Sequence, residues 1–172
     1  LNSNKSILFH EEQGFRKIWL TILLLFGMLL PIGILVSTMV GKKMNSMEFL
    51  LSLLAIVVFE IPIFILIHYT KFETTVWPEG LGYRWWPLQK KYRMIFTSDI
   101  LDVKTRRSPS FNYGVHWIPG YGWVHNVSGR MGIQIKLRSG KKLFIGSGQV
   151  EELKSALEKL LNKRIGEFRN EF

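Results

Sequence analysis

Two stretches near the start of the chain stay apolar for longer than any strand or ordinary core helix needs. Ile18 to Val40 holds no charged residue and is bounded by Arg16-Lys17 and Lys42-Lys43. As a helix it would rise about 34 Å, enough to cross a hydrocarbon core of roughly 30 Å with some tilt. A cleaved signal peptide has a shorter apolar core followed by small residues, and the run does not fit that pattern. The second run, Phe49 to Tyr69, predicts a helix over 49–70 and carries one acid, Glu60. Its 15 Phe, Leu, Ile and Val residues favour insertion by about −5 to −9 kcal/mol, against about +3 for one central ionisable residue. Both runs are therefore expected to span a membrane as an antiparallel hairpin, residues 18–70, with helices over 18–40 and 49–70.

Glu60 falls about 16 Å into the second helix, near the bilayer midplane. Lipid at that depth disfavours a charge, and a neutral acid needs a hydrogen-bond acceptor. Pro31 removes the amide that would bond the Gly27 carbonyl, and Pro62 frees the carbonyl of Val58 in the same way. The Gly27 carbonyl is the expected acceptor, which makes Glu60 first a packing or assembly device. The second reading is a proton or ion relay, because an acid inside a membrane is a functional candidate. Gly33, Ser37 and Gly41 recur every four residues on the first helix. Such a stripe lets a helix approach closely, either a neighbour's or the second helix of the hairpin.

Two spans place both termini on one side. Lys5, Arg16 and Lys17 precede the hairpin and Lys71, Arg84, Lys90, Lys91 and Arg93 follow it, against Lys42 and Lys43 in its loop. That bias puts both termini in the cytoplasm, with residues 1–17 as an N-terminal cytoplasmic segment.

Residues 71–172 are a different material. They hold 18 Lys+Arg against 9 Asp+Glu, nearly all of the chain's net charge of +10. Apolar residues alternate with polar ones in "KFETTVW", "LGYRWW", "YRMIF" and "GIQIKL", the pattern of half-buried strands. Ser139-Gly140 predicts a short hairpin turn. With "DILDVKTRR", "FNYGVHW" and "KKLFIG", about seven antiparallel strands are expected. The period then changes: Val150, Leu153, Leu157, Leu160 and Leu161 fall at helical spacing, predicting an amphipathic helix over 149–164. The fold class is thus α+β, with a membrane hairpin followed by a bent sheet or barrel that the C-terminal helix caps.

Seven strands and a closing helix resemble the plan of the pleckstrin-homology-like (PH-like) fold. "GIQIKLRSGKKLFIGSGQVEEL" is similar to the closing segment of bacterial PH-like domains, and "FNYGVHWIPGYGW" to their earlier aromatic, glycine-rich strand. "FHEEQGFRKIW" followed by two apolar helices resembles the layout of a group of bacterial membrane proteins. The resemblance implies a PH-like domain at 71–172, an inner-membrane location, and binding of lipid headgroups or proteins through basic residues between early strands.

Little in the chain points to catalysis. There is no cysteine, so no thiolate nucleophile or thiolate metal site exists. His116 and His125 could meet across a hairpin, yet no nearby acid completes a metal site. No nucleophile, base and acid can be assembled, so neither an enzyme acting alone nor a cofactor is expected. Lys90, Lys91, Arg93, Lys104, Arg106 and Arg107 form the expected basic face, with Trp85 and Trp86 as interfacial aromatics. Near anionic headgroups such a face gains about 1 kcal/mol per placed cation. Anionic lipid or an acidic partner within a larger membrane-protein complex is favoured over nucleic acid, whose footprint is similar. The expected role is a non-enzymatic binding or assembly module. The alternative is an accessory subunit of a transport or enzyme complex in which Glu60 takes part in proton or ion transfer.

Overall fold

The structure, a computed structural model, describes residues 6–14, 18–41, 45–109, 113–127 and 129–169. Lys5, Arg16, Lys17, Lys42 and Lys43, which entered the orientation argument, lie outside the described residues. The chain divides into two units, one of Leu1–Gly14 with Lys71–Phe172 and one of Phe15–Thr70.

The first unit contains nine strands among its described residues, two more than expected. Strand β1 (Phe9–Gly14) pairs antiparallel with β2 (Lys71–Trp77), Phe9 opposite Val76 and Gly14 opposite Lys71. β3 (Gly80–Trp86) and β4 (Arg93–Phe96) complete a four-stranded antiparallel meander. The β unit therefore begins before the apolar hairpin, and a boundary at residue 71 is corrected to include β1. Its strand is polar to the eye, but side chains alternate between faces, and Phe9, Glu11 and Gln13 are buried while His10 and Glu12 are exposed.

The second sheet has the order β5-β8-β9-β7-β6. Its strands are β5 (Ile100–Arg107), β6 (Gly114–Ile118), β7 (Gly122–Asn126), β8 (Met131–Leu137) and β9 (Lys142–Gly146). Every pair is antiparallel except β7 with β9, where His125 lies opposite Ile145. β5, β8 and β9 form a meander, and the β6–β7 hairpin is added at its free edge. Gly122 makes that addition possible: at φ 79° any Cβ would lie 2.0 Å from the Lys142 carbonyl oxygen, so only glycine fits.

Phe72, Val76 and Leu81 of the first sheet and Ile133, Ile135 and Ile145 of the second are fully buried. Helix α3 (Val150–Arg169) adds Leu153, Ala156, Leu157 and Leu160, packing on β5 and β8. Each leucine so buried contributes about 1.5–3 kcal/mol. The helical spacing of the sequence thus marks the buried stripe correctly.

In the second unit, α1 (Ile18–Val40) and α2 (Ser46–Tyr69) pack on one another. α2 starts three residues before the sequence expectation because Asn45 caps it. The Asn45 side chain accepts from the Glu48 amide at 2.9 Å and Glu48 accepts from the Asn45 amide at 3.1 Å, a capping box. Apolar side chains such as Phe26, Leu29, Leu50 and Phe59 point outward. Both helices are long and apolar enough to cross a membrane.

Candidate functional site

The six basic residues expected to form one face do not do so. Lys90 and Lys91 lie in the β3–β4 loop, and Arg93 opens β4. Lys104, Arg106 and Arg107 lie on β5, in the other sheet. Strand alternation divides these three again, with Arg107 on the face opposite Lys104 and Arg106. Lys104 pairs with Asp102 at 3.1 Å, and Arg106 donates to Gln134 Oε1 at 2.6 Å while covering the Tyr121 ring at 4.4 Å. Proximity along the chain did not become proximity in space.

Trp85 and Trp86 separate for the same reason. Trp86 is exposed, but Trp85 is only 5% exposed and belongs to the core, so its interfacial role is corrected. Just before them, Arg84 holds the loop that carries Lys90 and Lys91. Its Nε donates to Glu73 Oε2 at 2.6 Å and its Nη1 to the Lys90 carbonyl at 2.9 Å. Its guanidinium lies 4.3 Å from the Tyr92 ring centre, and Tyr92 Oη donates to the same Glu73 oxygen at 2.7 Å. The hydrogen bond to Glu73 raises the Arg84 pKa. Burial, then the bond to Glu73, raises that of the Tyr92 phenol.

A more enclosed site lies between the sheets. Tyr83, Trp85, Ile95 and Arg93 share the inner face of the first sheet, since Tyr83 is registered with Arg93 and Leu81 with Ile95. Val115, Trp123, His125 and Leu143 share the facing side of the second. These residues line a cavity of about 350 Å³, together with Gln89, Lys141 and Lys142. No carboxylate lines it, and Arg93 and Lys141 have no acidic partner among the described residues. Val115, Trp117 and Trp123 extend one wall outward as an exposed apolar shelf.

His125 forms the floor and is 3% exposed. Its ring stacks on Phe72 with centres 5.6 Å apart and lies 4.8 Å from Tyr83. Trp85 Nε1 donates to His125 Nδ1 at 2.9 Å. An indole can only donate, so the neutral imidazole carries its proton on Nε2. Burial lowers the His125 pKa to about 4, aided by the charge of Arg93 and by His116. His116 is registered with Val124 and His125 with Val115, so the two histidines face opposite sides of the sheet rather than meeting. Among the described residues no group of three or more His, Cys, Asp or Glu could hold a metal ion.

Sequence reasoning overlooked Glu11. Its Oε2 accepts from Ser147 Oγ at 2.6 Å and its Oε1 from the Gly148 amide at 2.8 Å. Ser147 Oγ accepts in turn from the Gln149 amide at 2.9 Å. A carboxylate at the start of α3 complements the unpaired amides and positive end of that helix. Glu11 thus clasps β1 to α3, a structural role whose only sequence signal is an acid at an inward strand position.

In the helical unit Glu60 Oε2 is buried and makes no hydrogen bond, so the expected bond from it to the Gly27 carbonyl is not formed. Gly33, Ser37 and Gly41 are all exposed, and a Cβ added at Gly33 meets nothing within 4 Å. The stripe does not line the contact between α1 and α2. Pro31 is half-buried inside α1 and Pro62 is exposed inside α2.

No family model matches the chain, and no curated protein or solved structure matches it either.

Proposed function

We propose that the chain is a membrane-anchored binding and assembly subunit, in which a two-helix hairpin holds a PH-like module at the cytoplasmic face of a bacterial inner membrane. The observation that carries this reading is the insertion of the hairpin between two paired strands. Gly14 and Lys71 are opposite each other in the β1–β2 ladder, so the apolar segment leaves and re-enters at neighbouring points. Any crossing must then be made an even number of times, in agreement with two spans and with both flanking segments on one side; the choice of the cytoplasmic side rests on the lysine and arginine bias.

The strand pattern supports the PH-like reading. With the β6–β7 hairpin set aside, a four-stranded meander, a three-stranded meander and a closing helix remain. That is the seven-strand plan with one added hairpin. The exposed small-residue stripe on α1 and the unpartnered buried oxygen of Glu60 favour a helix from another membrane subunit as the partner. The β unit, with its unpaired cations, then engages anionic lipid or ligand. The same Glu60 oxygen supports the second reading, an accessory role in proton or ion transfer.

Purification in mild detergent, followed by mass spectrometry of retained subunits, tests the proposal. Wild type and Glu60→Gln are expected to retain the same membrane partner, and Gly33→Leu to lose it. Loss of the partner in Glu60→Gln alone would overturn the neutral-acid assembly role. Retention of the partner with loss of a pH-dependent transport activity would favour the second reading. A chain that stays monodisperse without detergent would refute the membrane anchor.

A further inference from the structure

We propose that the cavity between the two sheets binds an anionic amphiphile, with a phosphate or carboxylate head at Arg93 and Lys141 and an apolar chain against Tyr83, Val115 and Trp123. This deepens the binding-module reading and rests on it only in taking the β unit as the ligand-bearing part. Three observations converge on that chemistry.

The first is charge. Two cations, Arg93 and Lys141, and no carboxylate line the cavity, and neither cation has an acidic partner among the described residues. Lys142, next to the inward Leu143, turns to the other face of its strand, where it reaches the Gly120 carbonyl at 3.3 Å. A planar guanidinium beside an ammonium group suits phosphate or carboxylate oxygens.

The second is the wall. Tyr83, Trp85, Ile95 and Leu143 are buried on the inner side. On the outer side Val115 is 49% and Trp123 54% exposed, although their strand positions face inward with His125. Inward-facing apolar residues left this open mark a surface without its cover. At about 350 Å³ the space is at the small end of ligand pockets, which range over roughly 300–1,000 Å³.

The third is unspent hydrogen bonding. Gln89 Oε1 is buried with no partner at the cavity wall, and His125 presents Nε2–H after its Nδ1 has been used by Trp85. One hydroxyl or protonated oxygen on a head group would satisfy either. A purely apolar ligand would satisfy neither and would leave the cations uncompensated.

The test uses the full chain in phosphatidylcholine nanodiscs, with NMR of the Trp123 indole and His125 imidazole as readouts. Octyl phosphate is expected to shift both signals saturably, whereas inorganic phosphate and octyltrimethylammonium do not. Arg93→Gln with Lys141→Gln should raise the Kd about tenfold or more, the loss of charged hydrogen bonds. Both side chains are exposed, and an unchanged far-ultraviolet circular dichroism spectrum and unfolding midpoint verify that the double variant folds. In a second arm, phosphatidylglycerol replaces part of the nanodisc lipid and no octyl phosphate is added. The same shifts there identify a bilayer lipid as the occupant, and their absence after success in the first arm identifies a free amphiphile. Equal binding of the cationic amphiphile, shifts that never saturate, or an unchanged Kd in the double variant would overturn the proposal. Such a failure leaves the retained-partner experiment untouched, so the cavity assignment can fall while the anchored-module reading stands.

Discussion

Acidification should destabilise the β unit through one residue, and the size of the effect follows from where that residue sits. His125 is buried on Phe72 and accepts a hydrogen bond from Trp85. Protonating it places a charge among aromatic rings, near the positive Arg93 and near His116, and removes the acceptor at Nδ1. Its pKa is accordingly held at about 4, against 6.5 for an unperturbed ring. Between those values the unfolded chain binds more protons than the folded one, so stability is full above pH 6.5, declines as pH falls and levels off below 4. A difference of 2.5 units at 1.36 kcal/mol each amounts to about 3 kcal/mol, a large share of an ordinary domain's stability. Guanidinium unfolding of the full chain in mild detergent, followed by tryptophan fluorescence, measures this at pH 7, 6, 5 and 4.5. Carboxylates titrate in the same range, so the informative quantity is the difference between wild type and His125→Gln. That difference should change by about 1.4 kcal/mol per pH unit below 6. A difference that is flat with pH, or an imidazole NMR titration centred at 6 or above, would refute the account of the buried ring.

Two further outcomes probe the buried carboxylates Glu73 and Glu11. Glu73 is 5% exposed and bridges Arg84 and Tyr92. Glu73→Gln should cost about 2–3 kcal/mol, below the range for fully buried pairs because Arg84 retains some access to water. The amides of residues 86–92 should then exchange faster by hydrogen–deuterium mass spectrometry, while those of β9 do not. Glu11→Gln should cost about 1–2 kcal/mol through the weakened bonds to Ser147 and Gly148. Faster exchange should appear in β1 and the first turn of α3 together, although more than 130 residues separate them.

The features legible in the sequence are those whose cause is local. The two apolar runs, the Gly140 turn and the leucine spacing of α3 all follow from period and composition within a short window. β1 escaped because two of its inward residues, Glu11 and Gln13, are polar. Their partners are Ser147, Gly148 and the Gly146 carbonyl, at the other end of the chain. β7 escaped because it is only five residues long and three of them, Trp123 to His125, pair in parallel with a strand that comes later. Trp85 and Trp86 illustrate a stricter lesson, since period two already forbids adjacent residues of a regular strand from sharing a face. The same alternation should have divided Arg106 from Arg107. The cavity could not be foreseen at all, because Arg93, His125 and Lys141 meet only through the order of strands in two sheets.

The boundary between the helical unit and the β unit is therefore not a single cut along the chain. β1 supplies Phe9 to the core and Glu11 to the start of α3, yet it is synthesised before the hairpin and cannot pair until residues 71–77 exist. Closing that ladder across the intervening segment carries a loop entropy that grows slowly with length. Two helices that run out and back shorten the effective loop and return Lys71 toward Gly14, so hairpin formation lowers the cost of completing the first sheet. Without β1, the long edge of β2 would offer unpaired amides and carbonyls to any other strand. Insertion of the apolar segment between paired strands thus couples the folding of the two units through chain connectivity.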